Sequence, residues 1–386
     1  MKKLPWKRIL GESVIVTILT IVLSVCWPNF LQFFSLDSYY QPPATEKEFP
    51  ASIFQSAKAE RDKDRNDTAS VTIVNTGYMT KREDIALLLA KIASMNPEMI
   101  GVDILFKDYY QSSEDSILVS VVDTIKDKTI FVCALNKDKV VHSFFCSPDK
   151  PDCYIEGVSE GLSELLYDQD KKSIYNFRYN DIIDGDTLPT LAAQMAKEYI
   201  VDKIKDTDDH IIRYEKLKFS ILTPDSLKED EIHNNLVIVG TIDDGQDQHL
   251  TPLGILSGIE VHGQIVHMIR SGEYVKKAGW FVEIICSFIL LFVFVFILLV
   301  IDYWIDYMHG KKEKRVLLDS ILEIGFFPFV LSVIFIVLAG ILSYYMYVEE
   351  GILLNMYSML IGITMLVLFI KLIVRFISRK YFPISN

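Results

Sequence analysis

The sequence predicts an α/β domain with a mixed, partly parallel sheet, held outside a membrane by four transmembrane helices, one before the domain and three after it. Three observations predict this. Four stretches stay apolar for about 20 residues, the length that crosses a bilayer core roughly 30 Å thick. The charge is divided: residues 31–277 carry 27 Lys and Arg against 42 Asp and Glu, while the remainder carries 12 against 9. From Val71 onward, strand and helix patterns alternate in the order that builds a parallel sheet.

Composition narrows the class further. Half of the 386 residues are hydrophobic and 23% are charged, close to the charge usage of a soluble protein. Such a chain is neither disordered, nor collagen-like, nor a small disulfide scaffold. The negative field of the acidic block repels phosphates, so nucleic acid is excluded as its partner.

A leader at 1–8 precedes the first span at 9–27. The second span covers 280–301, the third 321–348 and the fourth 352–370, with a loop at 302–320 and a tail at 371–386. Glu12, Glu283 and Glu323 lie near span ends, where a carboxylate snorkels to the interface at little cost. Lys2, Lys3, Lys7 and Arg8 precede the first span, and Lys311, Lys312, Lys314 and Arg315 fill the loop. Lys371, Arg375, Arg379 and Lys380 follow the fourth span, and the turn at 347–351 holds no basic residue. Under four spans all basic clusters share one side, which is therefore cytoplasmic. The expectation is a multi-pass protein of the inner (cytoplasmic) membrane, in contact with the lipid bilayer. Both termini lie inside and residues 28–277 face outward. Leu23-Ser-Val-Cys26 is a poor cleavage site because Val25 is bulky, so the first span is expected to stay attached.

Within the external block, residues 28–70 include Gln41-Pro-Pro43 and a polar run, the pattern of a connector. The core is expected over about 71–272. Residues 71–74 read as a buried strand. Thr80 with Glu83 makes a capping box before a helix whose face is Ile85, Leu88, Leu89 and Ile92. Pro97 stops that helix, and 99–106 is the next strand. Ser112, Ser113, Glu114 and Asp115 open a second helix with the face Leu118, Val121, Val122 and Ile125. Residues 129–135 are a third strand, and 139–145, 174–180 and 211–221 also read as strands, with a helix at 189–199. Residues 236–240 are a last buried strand, and Val261, Ile265, Met268 and Ile269 mark a final helix. Adjacent strands late in the block add an antiparallel part.

The cysteines agree with an external block. Cys133 sits in an apolar run as a small buried hydrophobe. Cys146 and Cys153 flank a turn-rich loop, and a structural disulfide is their preferred reading.

No phosphate loop, dinucleotide fingerprint, G-x-S-x-G or H-E-x-x-H occurs, so neither catalysis nor a cofactor is expected. The cytoplasmic segments are too short for a kinase or cyclase module. The most informative polar segment follows the last strand: Thr241-Ile-Asp-Asp-Gly-Gln-Asp-Gln-His-Leu-Thr-Pro252. Ligands in parallel α/β sheets collect beyond the carboxyl ends of strands. Asp103 lies near one such end and His262 opens the last helix, so Asp103, Asp243, Asp244, Asp247, His249 and His262 can converge on a small polar ligand or a metal. The plainer reading is that they cap helices and close turns. It is preferred, because their spacing matches neither a calcium loop nor a zinc site.

These same residues carry a resemblance. The strand Ile100-Gly-Val-Asp-Ile-Leu-Phe106, the strand Leu236-Val-Ile-Val-Gly-Thr241, Asp247 with Thr251-Pro-Leu-Gly254, and Gly258-Ile-Glu-Val-His262 resemble the hallmarks of the CHASE type 2 domain. That family is a cyclase- and histidine-kinase-associated extracellular sensory domain, placed after one span and usually before three more. Arg82 also fits its pattern. Three features depart from it. Asn75-Thr-Gly77 stands where acidic residues are usual, Asp168-Gln-Asp-Lys-Lys-Ser173 only loosely echoes a D-x-D-G-x-x-R segment, and the expectation is a member without a fused output module.

The resemblance implies an extracytoplasmic sensor that binds an unknown ligand or protein outside and signals to a separate membrane or cytoplasmic output partner. A structural or docking subunit of an envelope complex is the alternative, and an ectoenzyme ranks last. Self-association into a homo-oligomer stays open.

Overall fold

A computed structural model describes residues 6–33, 54–55, 57–58, 67–136, 139–146, 155–168, 173–200, 206–245, 247–309 and 327–353. The chain divides into two compact units, Ala51–Val275 on one hand and Met1–Pro50 with Lys276–Asn386 on the other.

The strands of the first unit are β1 (Asp67–Asn75), β2 (Met99–Val102), β3 (Thr129–Asn136), β4 (Lys139–Val141), β5 (Ser159–Leu162), β6 (Leu166–Asp168) and β7 (Ser173–Phe177). They continue with β8 (Asn180–Ile183), β9 (Asp186–Pro189), β10 (His210–Ile211), β11 (Leu217–Leu222), β12 (Leu236–Gly240), β13 (Gln248–Thr251) and β14 (Gly254–Ser257). After α1 (Trp6–Phe33) of the other unit come α2 (Arg82–Ser94), α3 (Ser113–Ile125), α4 (Leu191–Met195), α5 (Glu229–Ile232) and α6 (Gly258–Ser271).

The main sheet runs β11-β1-β12-β2-β3, with β4 and β5 both pairing with β3. Every pair in it is parallel except β3–β4. The mixed, partly parallel α/β fold expected from the sequence is therefore present. Central β12 shows why. Its five residues are all buried, as a parallel strand covered on both faces requires. Leu236 and Ile238 pack with α4 and α6, while Val237 and Val239 pack with α2 and α3. The same period-2 division holds in β3, where Ile130 and Val132 face one layer and Phe131 the other. A smaller sheet, β10-β7-β13-β14 with β6 on β7, lies off this path.

Several local expectations are corrected. The Thr80–Glu83 capping box does not form: α2 starts after Lys81, which makes no side-chain cap, and the Arg82 N–H donates to Glu114 at 3.3 Å. The strand expected at 99–106 ends at Val102: the Asp103 N–H still donates to Val239 O of β12, and the chain then leaves the ladder. The segment 139–145 is a strand only to Val141, after which Phe144 and Phe145 turn into the core beneath α3. The helix at 189–199 shortens to α4 plus a 3-10 turn at Lys197–Tyr199. The segment 211–221 splits into β10 and β11. By contrast the helix expected to open at 112–115 does start there, and Ser112 and Asp115 cap it reciprocally.

Cys133 is a buried free thiol, as expected. Burial, then Glu160 and Glu164, push it up to about 12, which keeps it un-ionised. Cys146 carries a free thiol here, and Cys153, its expected partner, lies outside the described residues.

In the second unit α1 is joined by α7 (Trp280–His309) and α8 (Phe327–Glu350), with the short strands β15 (Lys276–Lys277) and β16 (Ile352–Leu353). Among the described residues one helical stretch, Val330–Glu350, is long and apolar enough to cross a membrane, and Phe288–Ile301 is a shorter apolar stretch. Ile9 and Val16 of α1 pack with Leu291, Phe294, Val295 and Leu298 of α7. Helix α7 continues to His309, past the expected loop boundary at 302. The expected fourth span does not begin as a helix at Ile352: Ile352 and Leu353 pair in parallel with Lys276 and Lys277, and 354–386 lies outside the described residues.

Glu12 also differs from expectation. It is 6% exposed and accepts hydrogen bonds from Tyr303 Oη at 3.0 and 3.1 Å and from Arg8 Nε at 2.9 Å. A neighbouring helix thus meets this carboxylate inside the protein, where sequence alone suggested the membrane interface.

Candidate functional site

The candidate residues are placed by β2, β12, β13 and α6. In β13 the side chains alternate, so His249 and Thr251 point inward and Gln248 and Leu250 outward. Thr251 closes the turn into β14: its Oγ1 donates to Gly254 O at 2.8 Å and accepts from Leu253 N at 3.2 Å. Gly254 has φ +110°, which a side chain resists. The Thr-Pro-Leu-Gly part of the motif is thus a hairpin turn.

The Asp247 carboxylate sits against the amino end of α6. Its Oδ2 accepts from the Gly258 N–H at 3.1 Å and its Oδ1 lies 2.8 Å from His249 Nε2. A carboxylate at a helix amino end is favoured by the helix dipole. At the same end Glu260 reaches back to accept from the Ser257 N–H and Oγ at 2.9 and 2.8 Å.

His262 lies in the second turn of α6, not at its opening, because the helix already starts at Gly258. It is 2% exposed, and its Nε2 is 3.3 Å from the Ser163 carbonyl oxygen. Asp103 follows directly on β2, and a Cβ on Gly240 of β12 would come within 3.3 Å of Asp103 Cβ. Burial pushes the Asp103 carboxyl up; His262 draws it down, Asp247 pushes it up, His249 draws it down and Glu164 pushes it up. Four sequence-predicted residues, Asp103, Asp247, His249 and His262, are therefore electrostatic neighbours at the carboxyl ends of the strands.

Asp243 does not join them. It is exposed and accepts from Asn75 Nδ2 at 3.2 Å, while Asn75 Oδ1 accepts from Gly77 and Ile242 N–H groups. Here the asparagine must donate and accept at once, which an aspartate cannot do. Asp244 is exposed too, and its carbonyl closes a turn with the Asp247 N–H. Arg82 is placed elsewhere: it pairs with fully buried Asp115 and lies over the Tyr110 and Phe144 rings, 4.8 and 5.1 Å from their centroids. It fastens α2 to the start of α3.

Sequence reasoning missed Ser163 and Glu164. They follow β5, whose residues Ser-Glu-Gly-Leu lack the β-branched or aromatic types that signal a strand. Only Gly161 hinted at a close approach: a Cβ there would meet the Leu191 backbone at 2.7 Å. No group of three or more His, Cys, Asp or Glu side chains arranged to hold a metal ion occurs among the described residues. The arrangement offers carboxylates and imidazoles to a polar group of modest size.

A family model described as the CHASE2 domain matches residues 62–301. No curated protein and no solved structure matches the chain.

Proposed function

Because the chain belongs to the CHASE2 domain family, a family of extracellular sensory domains, we propose that it is a membrane-anchored extracytoplasmic sensor signalling to a separate partner protein. The observation that carries this reading is the meeting of Asp103, Asp247, His249 and His262 at the strand ends, against the first turns of α6. A ligand there touches the helix that leads onward. Helix α6 ends at Ser271 and α7 begins at Trp280, so the chain offers little slack between them. Any ligand that prefers one arrangement of α6 shifts its population; a tenfold preference is worth about 1.4 kcal/mol.

In this reading four spans cross the membrane: α1, α7, α8 and the apolar stretch after Leu353. The basic flanks lie in the cytoplasm together with both termini, and the output partner contacts 309–315 or the segment from Lys371. Reporter fusions test it. A reporter after Asn386 is expected to be active only in the cytoplasm, and one inserted at 59–66 only outside. The reverse pattern removes the sensor reading.

A docking subunit is the second reading, and one observation favours it. Leu250 and Ile255 face each other across the β13–β14 hairpin and are 50% and 69% exposed. A stoichiometric protein partner that Leu250→Ser with Ile255→Ser releases, without any small ligand, decides for docking.

A further inference from the structure

We propose that Gln55 and Lys58 form a latch, held by α6 through Gln264 and Glu215, that sets how much free chain joins the external domain to α1. The inference rests on the sensor reading and deepens it by naming the relay inside the domain. Sequence patterning marks 28–70 as a connector, yet Phe54, Gln55 and Lys58 are all buried. A lysine stays buried only where its charge is met. Lys58 Nζ donates to Glu215 Oε1 at 2.7 Å, and Gln55 Nε2 donates to the Ile212 carbonyl oxygen at 2.6 Å. Both acceptors lie on the short link between β10 and β11. Burial pushes the Glu215 carboxyl up, but Lys58 and then Arg213 outweigh it and hold it below the ordinary range, so the carboxylate is charged.

That link is in turn gripped by α6. Gln264 Nε2 donates to Glu215 O at 2.8 Å, and Gln264 Oε1 accepts from the Glu215 N–H at 3.3 Å. The Arg213 N–H meets Met268 Sδ at 3.2 Å. Gln264 stands about 9 Å along the helix from Gly258, so a displacement at the strand-end site reaches Glu215 through one rigid element. Arg213 also joins Glu215 at 3.2 Å to Glu273 at 3.5 Å, on the way to α7. One carboxylate thus ties the chain arriving from α1 to the helix that leads toward α7.

The latch is built to open. Gln55 Oε1 is buried with no hydrogen-bond partner among the described residues, so the closed arrangement carries an unmet acceptor that water satisfies on release. Lys58 cannot stay behind once Glu215 shifts, because a buried ammonium without its carboxylate is costly. The two residues are therefore released together. Closed, residues 34–53 tether the domain to α1; open, the tether runs on to β1 at Asp67, and a longer tether restrains α1 less.

The test labels the amines of the intact protein in lipid nanodiscs with an acetylating ester at fixed pH, reading each lysine by peptide mass spectrometry. Lys58 is expected to react about tenfold or more slowly than exposed Lys218. Gln264→Met keeps the volume but loses both bonds to Glu215, and is expected to raise the Lys58 rate about tenfold with Lys218 unchanged. Gly258→Ala displaces the other end of α6 and is expected to raise the Lys58 rate as well. Amide exchange in β12 is followed alongside as the measure of global unfolding, and a Lys58 rate that rises only in step with it overturns the latch. Equal rates at Lys58 and Lys218 in the unaltered protein overturn the closed state. No change in Gln264→Met overturns the grip of α6, and no change in Gly258→Ala overturns transmission along it. Should Gln264→Met fail to fold, exchange in the unaltered protein decides. Segments 54–58 and 212–215 are expected to open at one shared rate, ahead of β12, and separate rates overturn the proposal. A failed latch leaves the sensor reading standing, since the topology reporters decide that reading separately.

Discussion

Gly258 donates its N–H to Asp247 Oδ2 at 3.1 Å, and a Cβ on Gly258 would stand 2.5 Å from that same oxygen. The bond and the missing side chain are one requirement: the carboxylate can cap α6 only where the backbone is bare. This explains why a glycine precedes Ile-Glu-Val-His262 in the motif.

Gly258→Ala is therefore expected to destabilise the external domain by about 1–3 kcal/mol through overpacking, and to dislodge Asp247 from His249. Gly272→Ala is the control. Gly272 ends α6 at φ +70° with open space around it, so its loss is backbone strain alone, about 1–2 kcal/mol. Urea unfolding measures both, and the His249 ring resonances should shift only in the first. A shift in neither variant removes the argument for Gly258.

The Arg82–Asp115 pair predicts an acid-sensitive joint between α2 and α3. Burial alone raises the Asp115 carboxyl, but Arg82 and the Ser112 and Tyr110 N–H groups outweigh it and hold it below the ordinary range. A depressed carboxyl contributes stability above its unfolded value near 4 and loses it as pH falls through its folded value. No solvent reaches Asp115, yet the pair lies close beneath the surface, with the Arg82 side chain 15% exposed. Arg82→Met is accordingly expected to cost about 1–3 kcal/mol at pH 7 and less near pH 3, read from urea midpoints across that range. A cost independent of pH assigns the effect to lost packing on Tyr110 and Phe144.

Asp103 carries the opposite sign. Its carboxyl is raised, so the folded state binds its proton more tightly than the unfolded chain, and this residue's contribution falls as pH rises through that window. Asp103→Asn is expected to raise Tm at pH 7, with the gain fading below about pH 4, where the unfolded carboxyl is protonated as well. A residue kept at the expense of stability is the mark of a functional carboxylate. A lower Tm at pH 7 would assign Asp103 to the support of the strand ends.

The connector after α6 has a partner within its own unit. The Lys276 N–H donates to Gly351 O at 2.8 Å and the Ala278 N–H to Leu353 O at 3.0 Å. Under the proposed sensor reading, movement arriving at Lys276 would reach the end of α8 as well as α7. A flexible Gly/Ser insertion between Gly272 and Lys276 is expected to abolish the partner's response in cells. Replacing Leu353 by proline leaves α7 attached but removes the β16 N–H that faces Lys276 O in the parallel β15–β16 register, and is expected to weaken the response partially. A full response with the insertion present refutes transmission along this connector.

Much of this protein was legible in the linear chain. β12 and the helices α2, α3 and α6 announce themselves through apolar residues recurring at their own period, a pattern carried by neighbours in sequence. Asp247, His249 and His262 were legible for a related reason: a hairpin and a helix start bring them together within sixteen residues. Ser163 and Glu164 were not, because β5 becomes a strand only by pairing with β3, where Leu162 meets Cys133. Nor was the separation of Asp243 from Asp247, which depends on Asn75 reaching across from β1. Glu12 is the sharpest case, since the hydroxyl that meets it belongs to Tyr303, 291 residues away. Periodicity writes an element's type and buried face into adjacent residues. The partner of a polar atom is chosen by the folded neighbourhood, where burial makes an unmet carboxylate or imidazole costly and no local pattern records which distant group will answer it.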